Sequence, residues 1–392
     1  MLVPKLRFKE FKNEWKVYKF YDVVTIVNGQ VNPNENQYRN LPHIGPGNIE
    51  KETGRLLGYN LAKDDNLISS KYLFDRNSVI YGKINPHFAK VCYPNFIGLC
   101  SADAYPINPK KSLLTSQFLL YMLLTKKFTK FAISVSMRTG MPKINRDELG
   151  IYKFTIPSIG EQEKIGNFLS LLDKKIELQQ RRIEALKIYK TGLFNKIYKE
   201  KLNDIKESEL REYVYLQGGY AFKSELFSKK GTPIIRIANI NENIVDLKDV
   251  VFYDKEIPID FKFEINTGDI LIAMSGATTG KIGIYKEKMK SYLNQRVGKI
   301  VLKRKDMIYS YLYFLFELSS YNMQLNTKLV AGAQPNISPT DIENLKFKIP
   351  SIKLQEHIAN IVMNINKKLE IEGNKLQELN ELKKGLLQKM FI

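Results

Sequence analysis

The sequence Ile-Pro-Ser-Ile at residues 156–159 occurs again at residues 349–352, 193 positions further along the chain. The stretches that follow, residues 156–198 and 349–391, align without a gap and share 16 identical residues in 43 pairs. Both continue through a Gln-Glu pair and close on Lys-x-Gly-Leu. The chain is therefore a duplication, and each half is expected to end in the same long helix.

The segments that precede the repeated stretches predict two mixed α/β (α+β) modules. In each half, short strand-like runs separated by turns lead into an apolar helical segment, residues 115–131 in the first half and 308–318 in the second. Two such modules alternating with two helices give a layered α/β architecture. The predicted boundaries are module 1 at residues 1–155, a first spacer helix at 156–200, module 2 at 201–348 and a second spacer helix at 349–392.

Apolar residues recur at three- and four-residue spacing in both repeated helices, which is typical of a coiled-coil seam. The predicted pairing positions are Leu172, Ile176, Ile183, Leu186, Lys190, Leu193, Leu369, Glu372, Leu376, Leu379, Lys383 and Leu386. A parallel pair would place Lys190 against Lys383, two ammonium groups at a partly desolvated seam. An antiparallel pair with a pseudo-twofold axis is therefore expected, in a register that matches Lys190 with Glu372 and Gln179 with Lys383.

The length of the helices suggests what such a pair could do. About 38 residues at ~1.5 Å per residue give a helix of about 57 Å. An antiparallel pair would hold one module at each end, further apart than one turn of B-DNA, ~34 Å. Two related but different modules on a rigid spacer would suit a target with two unlike half-sites. A coiled coil that only joins two domains, or that dimerises the chain, remains the alternative.

Composition indicates a polyanionic partner and a reducing compartment. The chain has 61 Lys and Arg against 41 Asp and Glu, a formal net charge of +20, for which nucleic acid is the commonest partner. A basic host composition would explain the same excess. Two cysteines, Cys92 and Cys100, and three histidines do not have zinc-site spacing. Reduced thiols, the absence of an apolar leader and the absence of a 20-residue apolar run favour a cytoplasmic protein with no membrane contact.

Two segments resemble enzyme motifs without meeting their requirements. The segment 276–282, Gly-Ala-Thr-Thr-Gly-Lys-Ile, has one residue too few between its glycines for a phosphate-binding loop, and Ile282 replaces the hydroxyl that holds magnesium. The segment 85–88, Asn-Pro-His-Phe, resembles the amino-methyltransferase motif, but His87 replaces its second proline. No nucleophile, base and acid recur together in the two halves. The sequence favours a binding protein over an enzyme.

The polar loops that follow matching strands are the candidate DNA contacts, because Arg and Lys suit guanine edges or phosphates and Asn and Gln suit adenine. For each of them an ordinary solvated loop residue is an equally good interpretation. The candidates are Lys83, Asn85, His87, Lys90, Arg138, Thr139 and Lys143 in module 1 and Ser275, Thr278, Thr279, Lys281, Gln295, Arg296, Gln334 and Asn336 in module 2.

The whole pattern resembles the specificity subunits of type I restriction-modification systems. The residues that carry the resemblance are the Pro-Ser-Ile-x-x-Gln-Glu-x-Ile runs at 157–165 and 350–358, the Lys-x-Gly-Leu helix ends, the opening Pro-Lys-Leu-Arg-Phe at 4–8 and Trp15. Module 2 adds Gly-Asp-Ile-Leu at 268–271 and Gln-Pro-Asn-Ile at 334–337, from which module 1 departs with Asn-Ser-Val-Ile at 77–80 and Met-Pro-Lys-Ile at 141–144.

The resemblance implies that each module is a target-recognition domain for one half of a bipartite DNA sequence, with the helices as ruler and no catalysis in this chain. It further implies a bacterial complex with two methylation subunits, which bind S-adenosylmethionine, and two restriction subunits, which use ATP and Mg²⁺. The methylation subunits are expected on helix faces around Phe168, Tyr189 and Phe194. The alternatives are a stand-alone coiled-coil DNA-binding or scaffold protein and, third, a self-contained methyltransferase.

Overall fold

The computed structural model describes residues 2–136, 140–241, 243–253, 259–329 and 336–392. The chain divides into two compact units, Met1–Arg181 with Asn374–Ile392 and Arg182–Gly373. Each unit therefore contains most of one module together with part of each long helix. The predicted boundaries of the modules themselves stay a prediction.

Module 1 is built from short strands and helices around two small sheets. Its elements are β1 (Lys16–Lys19), α1 (Phe20–Val23), β2 (Val24–Ile26), β3 (Pro42–Ile44), β4 (Asn60–Leu61), β5 (Tyr72–Phe74), β6 (Val79–Gly82), β7 (Val91–Cys92), β8 (Gly98–Cys100), β9 (Ala104–Pro109), α2 (Ser116–Leu123), α3 (Lys126–Ser136), α4 (Arg146–Gly150) and β10 (Lys153–Ile156), followed by the long helix α5 (Ile159–Glu200). One sheet has the order β2-β9-β6-β7 and the other β4-β3-β8-β5, and β1 pairs with β10.

Module 2 repeats this order with additional strands before the strand Ile270–Ala273. Its elements are β11 (Glu207–Glu209), β12 (Val214–Gly218), β13 (Phe227–Ser228), β14 (Thr232–Ile235), β15 (Ile240–Asn241), β16 (Asn243–Val245), β17 (Val251–Tyr253), β18 (Glu264–Ile265), β19 (Ile270–Ala273), β20 (Ile282–Ile284), β21 (Ser291–Leu293), β22 (Val297–Leu302), α6 (Tyr309–Phe316), α7 (Ser319–Leu329), α8 (Pro339–Glu343) and β23 (Lys346–Lys348), followed by the long helix α9 (Ile352–Lys389). The sheets have the orders β12-β22-β19-β20-β16-β15 and β13-β17-β14-β21-β18, and β11 pairs with β23.

The duplication extends through both modules. Strands β6 and β7 precede β19 and β20 by 191 positions, whereas β8 and every later element precede their counterparts by 193. Module 2 therefore has two additional residues between β20 and β21. The parallel pairing of β3 with β8 recurs as the parallel pairing of β14 with β21. The mixed α/β fold with a duplicated module and helix is confirmed.

The apolar segment predicted as one helix over residues 115–131 is two helices, α2 and α3. The break lies at Thr125, whose hydroxyl donates to the carbonyl oxygen of Met122 at 2.7 Å and accepts from the backbone N–H of Phe128 at 3.2 Å. A threonine that bonds the preceding turn and caps the next one stops one helix and starts another. The periodicity of the apolar residues did not reveal this change of direction.

A buried glutamine explains why the sequence after each Pro-Ser-Ile is repeated. The Gln162 side chain is fully buried, accepts from Thr115 N at 2.9 Å and donates to the carbonyls of Leu113 at 2.8 Å and Pro157 at 3.0 Å. Gln355 is equally buried and bonds Ile308 N, the carbonyl of Asp306 and the carbonyl of Pro350 at 3.1, 2.8 and 2.9 Å. Each amide thus joins the start of a long helix to the start of the apolar helix of its module.

The main core of each unit includes residues from both long helices. In the first unit, Trp15 and Phe118 pack against Phe391, with ring centroids 6.5 and 5.0 Å from that ring. In the second unit, Phe194 of α5 and Ile358 of α9 share a core with α6. A separate small core beneath the sheet of β3 and β8 contains both cysteines, Cys92 and Cys100.

The seam predicted for the two long helices is turned away from solvent, because none of the predicted pairing positions is exposed. In the first unit, Leu172 and Ile176 near the start of α5 share a core with Leu386 and Leu387 near the end of α9. In the second unit, Ile197 near the end of α5 shares a core with residues near the start of α9. Within each unit the helices are therefore antiparallel, as expected.

The predicted register of polar contacts was wrong. Glu372 pairs with Arg182, Nη2 to Oε1 at 3.1 Å, rather than with Lys190. Lys190 instead forms an ion pair with Glu317, which follows α6. Lys383, predicted opposite Gln179, contacts Asp173 Oδ1 at 2.5 Å. The spacing of seam residues describes only the two helices, whereas both lysines also bond polar groups of the modules.

The expectation that Phe194 is exposed was also wrong. Its side chain is fully buried and packs edge to face against Phe314 of α6, with centroids 5.4 Å apart. Phe168 and Tyr189 are exposed, at 39% and 59%. Position 194 lies next to a seam position, so its ring turns toward module 2 and not toward solvent.

Candidate nucleic-acid interface

In module 1, two loops that carry predicted DNA contacts are joined by backbone hydrogen bonds. Ile84, just after β6, forms an isolated antiparallel bridge with Lys143. The N–H of Ile144 donates to the carbonyl of Lys83 at 3.1 Å, and the N–H of Asn85 donates to that of Pro142 at 2.8 Å. The bridge brings Lys83 and Asn85 together with Lys143, which follows Lys83 by 60 residues in sequence.

A tight turn after this bridge presents His87. Asn85 and Ala89 have φ angles of 49° and 42° and flank a single 3₁₀ turn at residues 86–88. Asn tolerates this left-handed conformation better than most residues. His87 is exposed and lies against Phe88, whose ring also receives the ammonium of Lys51 at 3.7 Å from its centroid. The imidazole of His87 therefore packs on the ring of Phe88 and stays exposed.

The same backbone arrangement recurs in module 2 with other side chains. Ser275 forms an isolated antiparallel bridge with Asn336, and Ile337 N donates to the carbonyl of Met274 at 2.9 Å. A 3₁₀ turn at residues 276–278 follows, entered by Gly276 at φ 78°. Asn336 is exposed, whereas the side chain of Ser275 is buried. The bridge thus presents Lys143 in one module and Asn336 in the other.

A third segment completes each arrangement. In module 2, Met274 N donates to the carbonyl of Arg296 at 2.9 Å, and both Gln295 and Arg296 are exposed. In module 1, Lys83 N donates to the carbonyl of Asp103 at 3.0 Å, and Asp103 is exposed. We call Lys83, Asn85, Asp103 and Lys143 bridge surface 1, and Ser275, Gln295, Arg296 and Asn336 bridge surface 2.

Several predicted contacts have other hydrogen-bond partners. The ammonium of Lys90 donates to the carbonyl of Pro46. The hydroxyl of Thr278 donates to the carbonyl of Ile237 at 3.1 Å, and that of Thr279 to the carbonyl of Gly276 at 2.6 Å. The two threonines stabilise the turn that follows Ser275 of bridge surface 2, whereas Lys90 is bonded to the turn at residues 46–48. Lys281, the counterpart of Lys90, is exposed. Arg138, Thr139 and Gln334 lie outside the described residues.

Sequence reasoning missed Asp103 and an aromatic group beside bridge surface 2. Tyr220 bridges Asn294 in parallel and its N–H donates to the carbonyl of Leu293 at 2.8 Å. The Tyr220 ring is 39% exposed and lies 4.9 and 5.4 Å from the rings of Phe222 and Phe263. Alternating aromatic residues after the glycine pair 218–219 were the available signal. Asp103 gave no signal, because a single acidic loop residue is usually solvated.

Electrostatic contacts beneath bridge surface 1 involve Tyr105. The ammonium of Lys83 lies 5.4 Å and the guanidinium of Arg146 5.0 Å from its ring centroid. Arg146 also donates to the carbonyls of Ile26 and Val27 at 3.2 and 2.6 Å. Burial raises the pKa of Tyr105, and the nearby Arg146 opposes this only in part. The phenol of Tyr105 therefore stays neutral at physiological pH.

The geometry does not support the enzyme-like motifs. The segment 276–282 connects β19 to β20, and the segment 85–88 connects β6 to β7, so neither leads from a strand into a phosphate-binding helix. Within the part of the chain that the structure describes, no three His, Cys, Asp or Glu side chains are close enough to hold a metal ion. Burial raises the pKa of both Cys92 and Cys100, so their thiols are poor ligands and poor nucleophiles.

The helices give no sign of membrane insertion: over the described ranges, none is both long enough and apolar enough to cross a bilayer. A duplicated basic chain whose two modules present the same backbone frame with different polar side chains defines a two-module nucleic-acid-recognition protein. The family of type I restriction modification DNA specificity domains matches residues 12–187 and 203–381. The chain belongs to this family, with one copy of the domain in each half.

Named relatives agree with this membership. The MjaVIII type I specificity subunit of Methanocaldococcus jannaschii is 24% identical over 310 residues, which cover 74% of this chain and 72% of that protein. The EcoDI specificity subunit of Escherichia coli is 37% identical over 153 residues, 39% of this chain and 33% of that protein. The solved S subunit of a type I system from M. genitalium shares the fold, with a TM-score of 0.60 at 18% identity over 100% of this chain and 99% of that one.

Proposed function

We propose that this chain is the non-catalytic DNA-specificity subunit of a type I restriction-modification enzyme, and that each module reads one half of a bipartite, asymmetric target. The observation that carries the proposal is the pair of bridge surfaces. Three backbone segments meet in the same way in both modules, but the exposed side chains differ. Equal frames with unequal side chains are what reading two different half-sites requires.

The differences between the surfaces have a direct chemical meaning. At the bridge, Lys143 in module 1 corresponds to Asn336 in module 2; in the third segment, Asp103 corresponds to Arg296. Arg and Lys donate to guanine O6 and N7, Asn pairs with the N6 and N7 edge of adenine, and a carboxylate accepts from the amino group of cytosine. The two surfaces therefore select different base sequences.

The long helices supply the spacer between the half-sites and a docking surface for the methylation subunits. Apolar side chains remain exposed on both: Leu171, Leu178 and Leu382 in the first unit, and Ile188, Tyr189 and Ile371 in the second. Leu178 and Ile371 occupy the same position of the repeat, as do Tyr189 and Leu382. Two equivalent apolar surfaces fit two copies of one partner. The proposal includes those two methylation subunits.

The chemistry then belongs to the partners. S-adenosylmethionine would bind to the methylation subunits, and ATP with Mg²⁺ to two restriction subunits of the full complex. The chain's own contribution is recognition, spacing and assembly on double-stranded DNA. The site of action in this proposal is the cytoplasm, where such a complex meets the chromosome.

The test is to express the chain with its methylation subunits in a host that lacks other adenine methylation and to map methylated adenines across the genome. The proposal expects a single bipartite sequence with unlike halves and a fixed spacer. Methylation without a defined sequence, or a defined sequence that persists when this chain is deleted, would overturn it. A matched arm carries Leu178→Glu and Ile371→Glu, which should abolish methylation, beside Lys174→Glu and Lys367→Glu, exposed positions of the same repeat, which should not.

A further inference from the structure

We propose that Lys190 and Lys383 are positioning residues that fix the angle at which each module is held on the long helices, and so determine which spacer length the chain accepts. The inference rests on the proposed function. The two lysines occupy the same position of the repeat, and they are the polar seam position that is identical in both copies, whereas the other one holds Gln179 and Glu372. Their ion-pair partners, Glu317 for Lys190 and Asp173 for Lys383, are not those that the sequence suggested.

Lys190 joins α5 to module 2. Its side chain is only 13% exposed, and its ammonium forms an ion pair with Glu317, whose side chain is 5% exposed. Glu317 is the C-cap residue that directly follows α6. The ammonium also lies 5.5 Å from the ring centroid of Phe194, which packs on Phe314 of α6. One lysine thus ties the helix to the apolar helix of the module through a charged and an aromatic contact.

Lys383 joins α9 to module 1 in a corresponding way. Its side chain is 8% exposed, and its ammonium contacts Asp173 Oδ1 at 2.5 Å and donates to the carbonyl of Thr53 at 2.6 Å. Asp173 Oδ2 in turn accepts from the hydroxyl of Tyr121 at 2.8 Å. Tyr121 lies on α2, the counterpart of α6. The lysine therefore connects both long helices to α2 and to the loop at residues 50–55.

The loop at residues 50–55 is seated on the helices by further contacts. The guanidinium of Arg55 donates to the side-chain oxygen of Gln180 on α5. Gly54 has φ +85°, and a Cβ there would lie 2.9 Å from Leu124 Cδ1 at the end of α2. A cavity of about 540 Å³ lies beside the loop, lined by Thr53, Asp173 and Lys383 among others. The loop therefore has space to move if the lysine contact is lost.

Directional contacts are needed here because apolar burial alone does not fix an angle. The hydrophobic effect is roughly proportional to buried area and has no preferred direction. A buried ammonium held by a carboxylate and a carbonyl is stabilised only over a narrow range of geometries. One base-pair step of DNA is ~3.4 Å. A module that rocks by that distance at its bridge surface would accept a half-site displaced by one base pair.

The experiment compares Lys190→Met and Lys383→Met with Lys196→Met and Lys389→Met, a second pair of repeated lysines that is exposed. Methionine keeps the length and apolar character of the side chain and removes the charge. Each chain is expressed with its methylation subunits on a plasmid library in which the two half-sites are separated by the native spacer or by one or two base pairs more or less. Methylated adenines are counted for every spacer.

We expect both half-site sequences to be unchanged in the Lys190 and Lys383 variants, while methylation at the native spacer relative to its neighbours falls about tenfold, a change of ~1.4 kcal/mol. The Lys196 and Lys389 variants should keep the native ratio. A charge-reversed pair, K190E with E317K, should restore it and carries the test if the single variants do not fold. An unchanged ratio in both variants, or an equal fall in the controls, overturns the inference. Failure of the unaltered chain to direct methylation would instead overturn the proposed function.

Discussion

Bridge surfaces 1 and 2 place their charged side chains differently although their backbones match. Surface 1 carries an exposed carboxylate, Asp103, between cationic neighbours, whereas surface 2 carries the guanidinium of Arg296 at the corresponding place. A carboxylate facing DNA is repelled by phosphates and is tolerated where it meets base amino groups. The backbone frame is therefore common to both halves, whereas the side chains proposed to contact DNA have diverged on it.

The largest expected change in the methylated sequence comes from exchanging a whole module. Replacing residues 15–155 with the corresponding module of another family member should replace one half of the methylated sequence completely and leave the other half unchanged, because the two bridge surfaces belong to separate units. Mapping methylated adenines measures this. An exchange that alters both halves would show that the surfaces do not read independently.

A second prediction concerns the part of the frame that did not diverge. Gln162→Leu removes three buried hydrogen bonds and leaves their backbone partners without that bond. The free energy of unfolding of the first unit should fall by about 3 kcal/mol or more. The chain's single tryptophan, Trp15, lies in that unit's core, so its fluorescence reports the loss as a lower urea midpoint. Gln355→Leu, the matched change in the other unit, should leave the tryptophan midpoint in place. Equal shifts for the two variants would mean that the units unfold as one.

Single substitutions should change selectivity at one base pair of one half-site. Asp103→Ala should relax selectivity at one position of the first half-site, and Arg296→Ala at one position of the second, each by ~1–3 kcal/mol of discrimination. Methylated-sequence logos measure the effect. Lys16→Ala and Lys206→Ala, exposed changes at or beside β1 and β11, are the controls and should leave both halves intact. Relaxation of the same half by both reading variants would contradict the assignment.

The smallest expected effect is a difference in DNA affinity between variants of Lys281 and Lys90, which occupy equivalent positions in the two modules. Lys281→Ala should weaken DNA binding about equally for all sequences and lower the slope of log affinity against log salt by ~1, as loss of one phosphate contact does. Lys90→Ala should leave the slope unchanged, since its ammonium is held by the carbonyl of Pro46. Binding titrations over a range of salt concentrations measure both. An equal decrease of the slope in both variants would show that Lys90 contacts a phosphate as well.

The sequence predicted the large-scale order of the fold because repetition and periodicity carry that order. The repeat of Pro-Ser-Ile and the spacing of apolar residues located both long helices, and the repulsion expected between Lys190 and Lys383 predicted their antiparallel direction. The same argument failed for the partners of these lysines, because Glu317 and Asp173 are determined by packing of the modules on the helices, which no local pattern encodes. The break at Thr125 was missed because the spacing of apolar residues does not reveal a threonine that caps the next helix.

The candidate site was predicted in part. Loops after matching strands indicated Lys83, Lys143, Arg296 and Asn336, and the structure places these in two bridged groups; that they contact DNA stays a prediction. Asp103 and Tyr220 were missed, since they reach the bridge surfaces through hydrogen bonds between distant segments. Lys90 and Thr278 have hydrogen-bonding groups that bond backbone carbonyls, a use that residue type alone does not reveal.

The two buried cysteines give the chain a practical property. Since burial raises the pKa of both thiols, Cys92 and Cys100 should react slowly with maleimides and with disulfide reagents. A cysteine introduced at the exposed position of Lys143 or Asn336 would then be the readily labelled thiol of the molecule. A DNA-cleaving chelate attached there would cut beside the base pairs that each module faces. The positions of the cuts would then map the DNA segment that each module contacts.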